Sequence, residues 1–193
     1  MPFNTNNNFN NNSNNNGGEK KKTNFRLGKV WGSDGQLDVS IWVADTGVRA
    51  ILSIKSAVGK DPSTGANVLE QKMPNELPRF FMNIDLLRAF IDVVEATPDL
   101  GSVNIVLDKG NAGKLTIIGQ GSSIKLTIDS AKQGSRTITF DSIGVGNKNI
   151  HAAFRNLCEY MKIAYRKALT NKLDPEEFGM AVNGGDNDDD LPI

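Results

Sequence analysis

The chain has few of the residues on which secreted domains and metal-dependent enzymes rely. Its 193 residues include one cysteine and one histidine. A single cysteine excludes a disulfide framework and a cysteine-based zinc site, and it predicts a reducing compartment. No apolar run approaches the length of a membrane helix, and the polar N-terminus lacks the apolar core of a signal peptide. The sequence therefore predicts a soluble cytoplasmic protein with no membrane partner.

A complete catalytic motif is also lacking. Gly113-Lys114 resembles part of a phosphate-binding loop, but Leu115 stands where that loop needs a Ser or Thr to hold magnesium. No nucleophile can be paired with His151 from its spacing, and Cys158 lies on an apolar helix face, where a buried thiol is expected. We therefore expect a protein that is not an enzyme and that has no cofactor and no metal site.

Net charge is absent from the chain as a whole, because 22 Lys and Arg balance 22 Asp and Glu, but the charges are unevenly placed. Residues 1–24 hold ten Asn among the first sixteen positions, followed by three consecutive Lys, and have a net charge of +2. Residues 174–193 have a net charge of −7, and the segment between has +5. This distribution predicts a disordered Asn-rich arm over 1–24, a mildly basic globular domain over 25–173 and a disordered acidic tail over 174–193.

Alternation of apolar and polar residues predicts strands within the globular domain. The first half has predicted strands over 25–31, 37–43, 50–54 and 66–73, and then a helix whose N-cap is Asn83. The second half has predicted strands over 103–107, 115–117, 124–128 and 138–140, and then a longer helix from about Asn149. The sequence thus predicts an α+β fold of two ββββα repeats, about 25–97 and 102–170, whose halves share one core.

The same alternation predicts which side chains face outward. If the face that contains Leu37 is buried, Trp42 points outward, and the corresponding parity places Arg49 outward. A sheet face with Trp and cations can stack bases and neutralise phosphates, which suits a single strand because a duplex hides the faces of its bases. The predicted nucleic-acid-binding residues are Trp31, Trp42, Arg49, Lys55, Lys60, Lys72, Lys114, Lys125 and Arg136.

Other interpretations of these residues remain open. The outer face of a sheet needs polar side chains in any case, and tryptophans in strands often serve packing. Packing is the favoured interpretation for Trp31, because its strand alternates poorly. The segment 55–72 is either a mobile basic flap or an idle hairpin loop.

The acidic tail carries the sharpest family resemblance in the chain. Asp188, Asp189, Asp190, Leu191, Pro192 and Ile193 form a tip in which acids precede a short apolar end. This tip resembles that of bacterial and bacteriophage single-stranded DNA-binding proteins, where acids precede an apolar residue, Pro and a final Phe; here Ile193 replaces the Phe. The resemblance implies that residues 188–193 bind replication and repair proteins and compete with DNA for a basic groove.

The predicted order of elements resembles a different family of single-stranded DNA binders. The twice-repeated ββββα order is similar to that of the Whirly family, in which two such repeats pack their sheets together with the helices at one end. Residues 47–53 also resemble that family's basic Gly-Lys-Ala-Ala-Leu-Ser segment, with one inserted residue and Arg49 for Lys. This resemblance implies DNA binding by exposed sheet residues and assembly into a homo-oligomer, possibly a tetramer. An OB-fold barrel is the alternative architecture.

Together the two resemblances imply a sequence-independent single-stranded DNA-binding protein, bacteriophage-like, that acts in DNA replication, recombination and repair. Two alternatives remain open. One is a single-stranded RNA binder or transcription regulator, which would use the same sheet chemistry. The other is a non-enzymatic structural or assembly protein, whose helices would form interfaces.

Overall fold

The computed structural model describes residues 23–44, 47–73 and 76–170. Residues 1–22 of the predicted arm and the whole predicted tail, with its tip at 188–193, lie outside the described residues. Thr23 and Asn24 belong to the first strand, so the sheet begins within the segment predicted as the arm. In the described ranges, no helix has the length and apolar character needed to cross a membrane.

The first half of the chain forms an antiparallel sheet, called here the first sheet. Its strands are β1 (Thr23–Trp31), β2 (Gly35–Ala44), β3 (Gly47–Lys60), β4 (Asn67–Leu69) and β5 (Arg79–Met82). The strand β3 lies beside β2 and is long enough to pair on its other edge with both β4 and β5, at different positions along its length. Helix α1 (Ile84–Ala96) follows β5 directly.

The second half forms an antiparallel meander, called here the second sheet. Its strands are β6 (Asn104–Asp108), β7 (Lys114–Gln120), β8 (Ser123–Ser130) and β9 (Gly134–Asp141). A separate hairpin of β10 (Ile143–Val145) and β11 (Lys148–Ile150) precedes helix α2 (Ala152–Thr170). The described fold is therefore α+β, with antiparallel sheets and two helices.

One hydrophobic core joins the two halves, as the sequence predicts. The core cluster includes Leu52 from the first sheet, Leu126 from the second sheet, Phe90 from α1 and Phe154 from α2. All four side chains are fully buried. Burying a side chain of this size contributes about 1.5–3 kcal/mol, so neither sheet would keep its stabilisation without the other.

The first predicted helix is confirmed, and the second is shorter than predicted. Asn83 caps α1, because its Oδ1 accepts a hydrogen bond from the Leu86 N–H at 3.1 Å. The second helix begins at Ala152 rather than near Asn149, because residues 148–150 pair with β10 instead. The turn of that hairpin contains Gly146 at φ 58°, a left-handed conformation that favours glycine.

The predicted strand pattern needs three corrections. The strand predicted over 66–73 covers only Asn67–Leu69, and neither β5 nor the hairpin of β10 and β11 was predicted. In the described residues, five strands precede α1 and six lie between α1 and α2. The simple ββββα order predicted for each half therefore does not describe the element order.

The turn between β1 and β2 covers part of the edge of β9. Asp34 accepts two hydrogen bonds from Thr139, one from its N–H at 2.7 Å and one from its hydroxyl at 2.8 Å. The N–H of Ser33 donates to the Thr139 carbonyl at 2.9 Å. A Cβ atom on Gly32 would collide with that same carbonyl oxygen, so the close approach requires glycine. These contacts join the two sheets and satisfy backbone groups of an edge strand.

Candidate nucleic-acid interface

The predicted outward orientation of Trp42 and Arg49 on the first sheet is confirmed. Leu37 and Ile41 on β2 and Leu52 on β3 are fully buried. Trp42 and Arg49, of opposite parity, are partly exposed. Because facing residues on antiparallel strands share a side of the sheet, both lie on the outer face of the first sheet.

Trp42 and Arg49 are direct cross-strand neighbours on that face. The Arg49 guanidinium carbon lies 5.5 Å from the centroid of the Trp42 ring, within the range of a cation–π contact. The sequence therefore identifies two residues that the fold brings together. A planar ring beside a guanidinium group can stack on a base and can also meet a phosphate.

The neighbouring strand β5 adds a second pair of the same kind, which sequence reasoning missed. Phe81 lies opposite Ile51 on β3, and the guanidinium carbon of Arg79 lies 5.8 Å from the centroid of the Phe81 ring. The alternation that could have revealed this pair is present, since Phe80 and Met82 are fully buried. It extends over only four residues, which is too short to distinguish a strand from a loop.

These side chains line a surface groove of about 400 Å³, called here the first groove. Its lining residues are Asn24, Trp42, Arg49, Ile51, Arg79 and Phe81. Two aromatic rings and two guanidinium groups thus face one depression on a sheet surface. Aromatic rings and guanidinium groups can each stack on a base without selecting which base it is.

Lys109 places a third cation beside the first groove. Its Nζ donates a hydrogen bond to the carbonyl oxygen of Phe81 at 3.0 Å, which ties the turn between β6 and β7 to the edge strand β5. Burial lowers the pKa of Lys109, and the positive charge of Arg49 lowers it further. The two cations therefore repel each other, and an anion bound between them would relieve that repulsion.

A second groove, of about 310 Å³, opens on the other side of Arg79 and Phe81. Its lining residues are Arg79, Phe81, Asn111, Ala112, Ser130, Ala131, Lys132 and Gln133. The two grooves share Arg79 and Phe81 as a common wall. Among the residues that the structure describes, no carboxylate lines either groove, so both present a cationic surface.

Trp31 and Lys55 lie on the same face but at its other end. Both are cross-strand neighbours of Gln36 on β2: Trp31 pairs with it from β1, and Lys55 pairs with it from β3. Gln36 and Trp42 are six residues apart on β2, a separation of about 20 Å. Trp31 and Lys55 are therefore not part of the first groove.

Trp31 is 53% exposed, so about half of the residue is accessible and the rest contacts the protein. A register shift between Arg26 and Gly28 explains the poor alternation of this strand. Phe25 and Val30 are both buried although their positions differ in parity, as a β-bulge between them requires.

Arg136 and Lys72 are engaged by one carboxylate, that of Glu70. Arg136 reaches the two carboxylate oxygens through Nε and Nη2, each at 3.3 Å, and the Lys72 Nζ lies 3.5 Å from Oε2. Burial raises the pKa of Glu70, but hydrogen bonds from Arg136 and the Ser56 N–H and the charges of Arg136 and Lys72 outweigh burial and hold it below its usual value. The contact between Arg136 and Glu70 joins β9 to the segment after β4. The single carboxylate of Glu70 offsets only one of the two positive charges of Arg136 and Lys72.

Lys60 is the last residue of β3, which forms a hairpin with β4. It pairs with Asn67 of β4. The turn between the strands is held by Asp61, whose Oδ1 accepts hydrogen bonds from the Ser63 hydroxyl and N–H and from the Thr64 N–H. These hydrogen bonds lower the pKa of Asp61, those from Ser63 most. Lys60 is exposed at the tip, away from the two lined grooves.

Lys114 and Lys125 lie on the outer face of the second sheet. Lys114 has Asp108 opposite it on one neighbouring strand and Asp129 on the other. Lys125 lies between Ile118 and Thr139 and is exposed. The fold does not place either lysine in the two grooves.

In the described ranges, no group of three or more His, Cys, Asp or Glu side chains is placed to hold a metal ion. His151 is buried immediately before α2. Cys158 is buried, as the sequence predicts, and burial raises the pKa of its thiol to about 12, so this thiol has little nucleophilic thiolate near neutral pH.

Comparison with known proteins found no family model that matches the chain, and no curated protein matches it either.

Proposed function

We propose that this protein binds single-stranded DNA on the outer face of its first sheet, without sequence preference. The observation that carries the proposal is the first groove, where the rings of Trp42 and Phe81 lie beside the guanidinium groups of Arg49 and Arg79. The rings stack on bases and the cations neutralise phosphates. Stacking contributes about 1–3 kcal/mol per base and accepts every base, because each has a π-face.

The charge distribution around the groove supports the same ligand. Lys109 adds a positive charge next to Arg49, and Asp38, an acid of the same sheet, is ion-paired with Arg26 at 3.4 Å. A single strand can present phosphates to these cations and bases to the rings at the same time. A duplex can offer only its phosphates, since its bases are stacked and paired.

The proposal extends to the architecture and role that the sequence resemblances imply. We propose that the two sheets, their shared core and the two helices form a Whirly-like domain in which β5 and the hairpin of β10 and β11 are additions. In the cell, the protein would protect single-stranded DNA during replication, recombination and repair, as a homo-oligomer. Residues 188–193, which lie outside the described residues, would recruit partner proteins. No catalytic step and no cofactor belong to this role.

Fluorescence titration with oligo-dT at several salt concentrations between about 50 and 200 mM tests the proposal. Each phosphate that a cation neutralises on a single strand contributes about −0.7 to the slope of log K against log salt. Neutralisation by Arg49, Arg79 and Lys109 therefore predicts a slope of about −2. Absence of binding at the lowest salt would refute the proposal.

Matched duplex DNA and single-stranded RNA complete the experiment. We expect weaker binding to the duplex, because the stacking contribution is lost. Equal or tighter binding to the duplex would show that the rings of the first groove do not contact bases. Tighter binding to RNA than to DNA would favour the RNA-binding alternative.

A further inference from the structure

If a strand bound only at the first groove, the second groove would have no role in binding. Arg79 and Phe81 separate the two grooves and line both of them. A strand that crosses Phe81 from the first groove therefore enters the second without leaving the protein surface. The second groove lies between the edge strand β5 and two turns, one between β6 and β7 and the other between β8 and β9.

The side chains of the second groove fit a nucleotide. Lys132 is exposed in the turn before β9, and Arg79 lies in the wall, so phosphates would meet two cations and no carboxylate from the lining residues. Asn111 and Gln133 bring amide groups, which can hydrogen-bond phosphate and sugar oxygens without selecting a base. The Ser130 hydroxyl donates to the Gln133 Oε1, which fixes the orientation of that amide.

Lys109 connects the two grooves electrostatically. It lies two residues before Asn111 of the second groove, and its pKa is lowered in part by Arg49 of the first groove. The cations Arg49, Arg79, Lys109 and Lys132 thus extend from one groove to the other. An anionic polymer is the ligand whose repeating charges match such a row, whereas a free mononucleotide would satisfy only one end of it.

We propose that the second groove is a separate subsite for the same single strand, which binds a nucleotide next to those held at Trp42. This inference rests on the proposed function and deepens it, because it assigns residues of the second sheet's turns to the binding site. Its consequence is that the contribution of Lys132 to affinity depends on the length of the oligonucleotide. Oligonucleotides long enough to reach both grooves gain the contact with Lys132, and shorter ones do not.

The test compares Lys132→Ala with the unaltered protein across oligo-dT lengths from about four to about sixteen nucleotides, the range of site sizes of OB-type domains. We expect the variant to match the unaltered protein on the shortest oligonucleotides that bind. On longer ones, we expect weaker binding and a salt slope smaller in magnitude by about 0.7, the value for one lost phosphate contact.

Two control variants separate the possible outcomes. Lys148→Ala removes the same charge from the hairpin of β10 and β11, which lines neither groove, and should leave the salt slope unchanged at every length. Trp42→Ala should weaken binding at every length, which shows that the short oligonucleotides occupy the first groove. If the unaltered protein binds but Lys132→Ala keeps its affinity and slope at all lengths, the second subsite is refuted and the proposed function stands. If the unaltered protein binds no oligonucleotide, the proposed function itself fails.

Discussion

The outer faces of the two sheets differ in their chemistry, although the inner faces of both sheets pack into the same core. The first sheet presents Trp42 and Phe81, each with a guanidinium group over its ring. The second sheet presents threonines and exposed aliphatic side chains, such as Val106, and its lysine at position 114 lies between two aspartates. Both faces are partly polar, as a sheet surface must be. Among the described residues, the first face combines aromatic rings with cations in a groove that no carboxylate lines.

Under the proposed function, a count of outward lysines would be a poor guide to the binding surface. Lys72 and Arg136 have the charge that a phosphate needs, but both are ion-paired with Glu70. Lys114 has an aspartate opposite it on each neighbouring strand. A cation that is already paired contributes less to attraction at a distance. The cations around the first groove differ, because two of them, Arg49 and Lys109, repel each other.

The largest effect is expected for removal of the indole from the first face. Trp42→Ala deletes a stacking platform, so we expect the loss of about 1–3 kcal/mol of binding free energy, or roughly 5- to 150-fold in affinity for oligo-dT. Anisotropy of a labelled oligonucleotide measures this change. The matched control on the second face is Val106→Ala, for which we expect no change in affinity.

Because Trp42 is partly buried, its truncation could also affect folding. Thermal unfolding of each variant checks that the domain is intact at the temperature of the assay. Trp42→Phe keeps an aromatic ring and should recover part of the lost affinity. Equal losses for Trp42→Ala and Val106→Ala would remove the distinction between the two faces.

A much smaller effect is expected for a charge on the second face. The sequence alone places Lys125 among the nucleic-acid-binding residues, whereas in the structure Lys125 lines neither groove. At about 0.15 M salt the screening length is about 8 Å, so a lysine on another face adds little to binding. We therefore expect Lys125→Ala to change affinity by less than about twofold, and Arg49→Ala to change it more. Comparable losses for both variants in the same anisotropy assay would show that the second face also contacts the strand.

Much of the core could be predicted from the sequence, because alternation reports burial directly. The strands around Leu37 and Leu126 and the helix capped by Asn83 follow from local patterns, and their burial and capping are as predicted. The bulge before Gly28 was not predicted, since one extra residue reverses the parity of a strand without any local sequence signal.

The candidate site could be predicted only in part. Trp42 and Arg49 were identified because both belong to long, regular strands. Phe81 lies on a strand of four residues, and Lys109 and Lys132 lie on turns. Their positions depend on how the two sheets meet at β5, which is a tertiary contact that no local pattern encodes. The partner of Arg136, which is Glu70, is separated from it by 66 residues and is equally invisible to local reasoning.

The two tryptophans allow the central claim to be tested directly, because the chain has only these two. Trp31→Phe leaves Trp42 as the sole indole emitter, and Trp42→Phe leaves Trp31. Each variant is titrated to saturation with oligo-dT while its tryptophan fluorescence is recorded. If bases stack in the first groove, the emission of Trp42 is quenched on binding and that of Trp31, about 20 Å away along the sheet, is not. Quenching of Trp31 with no change at Trp42 would contradict the account.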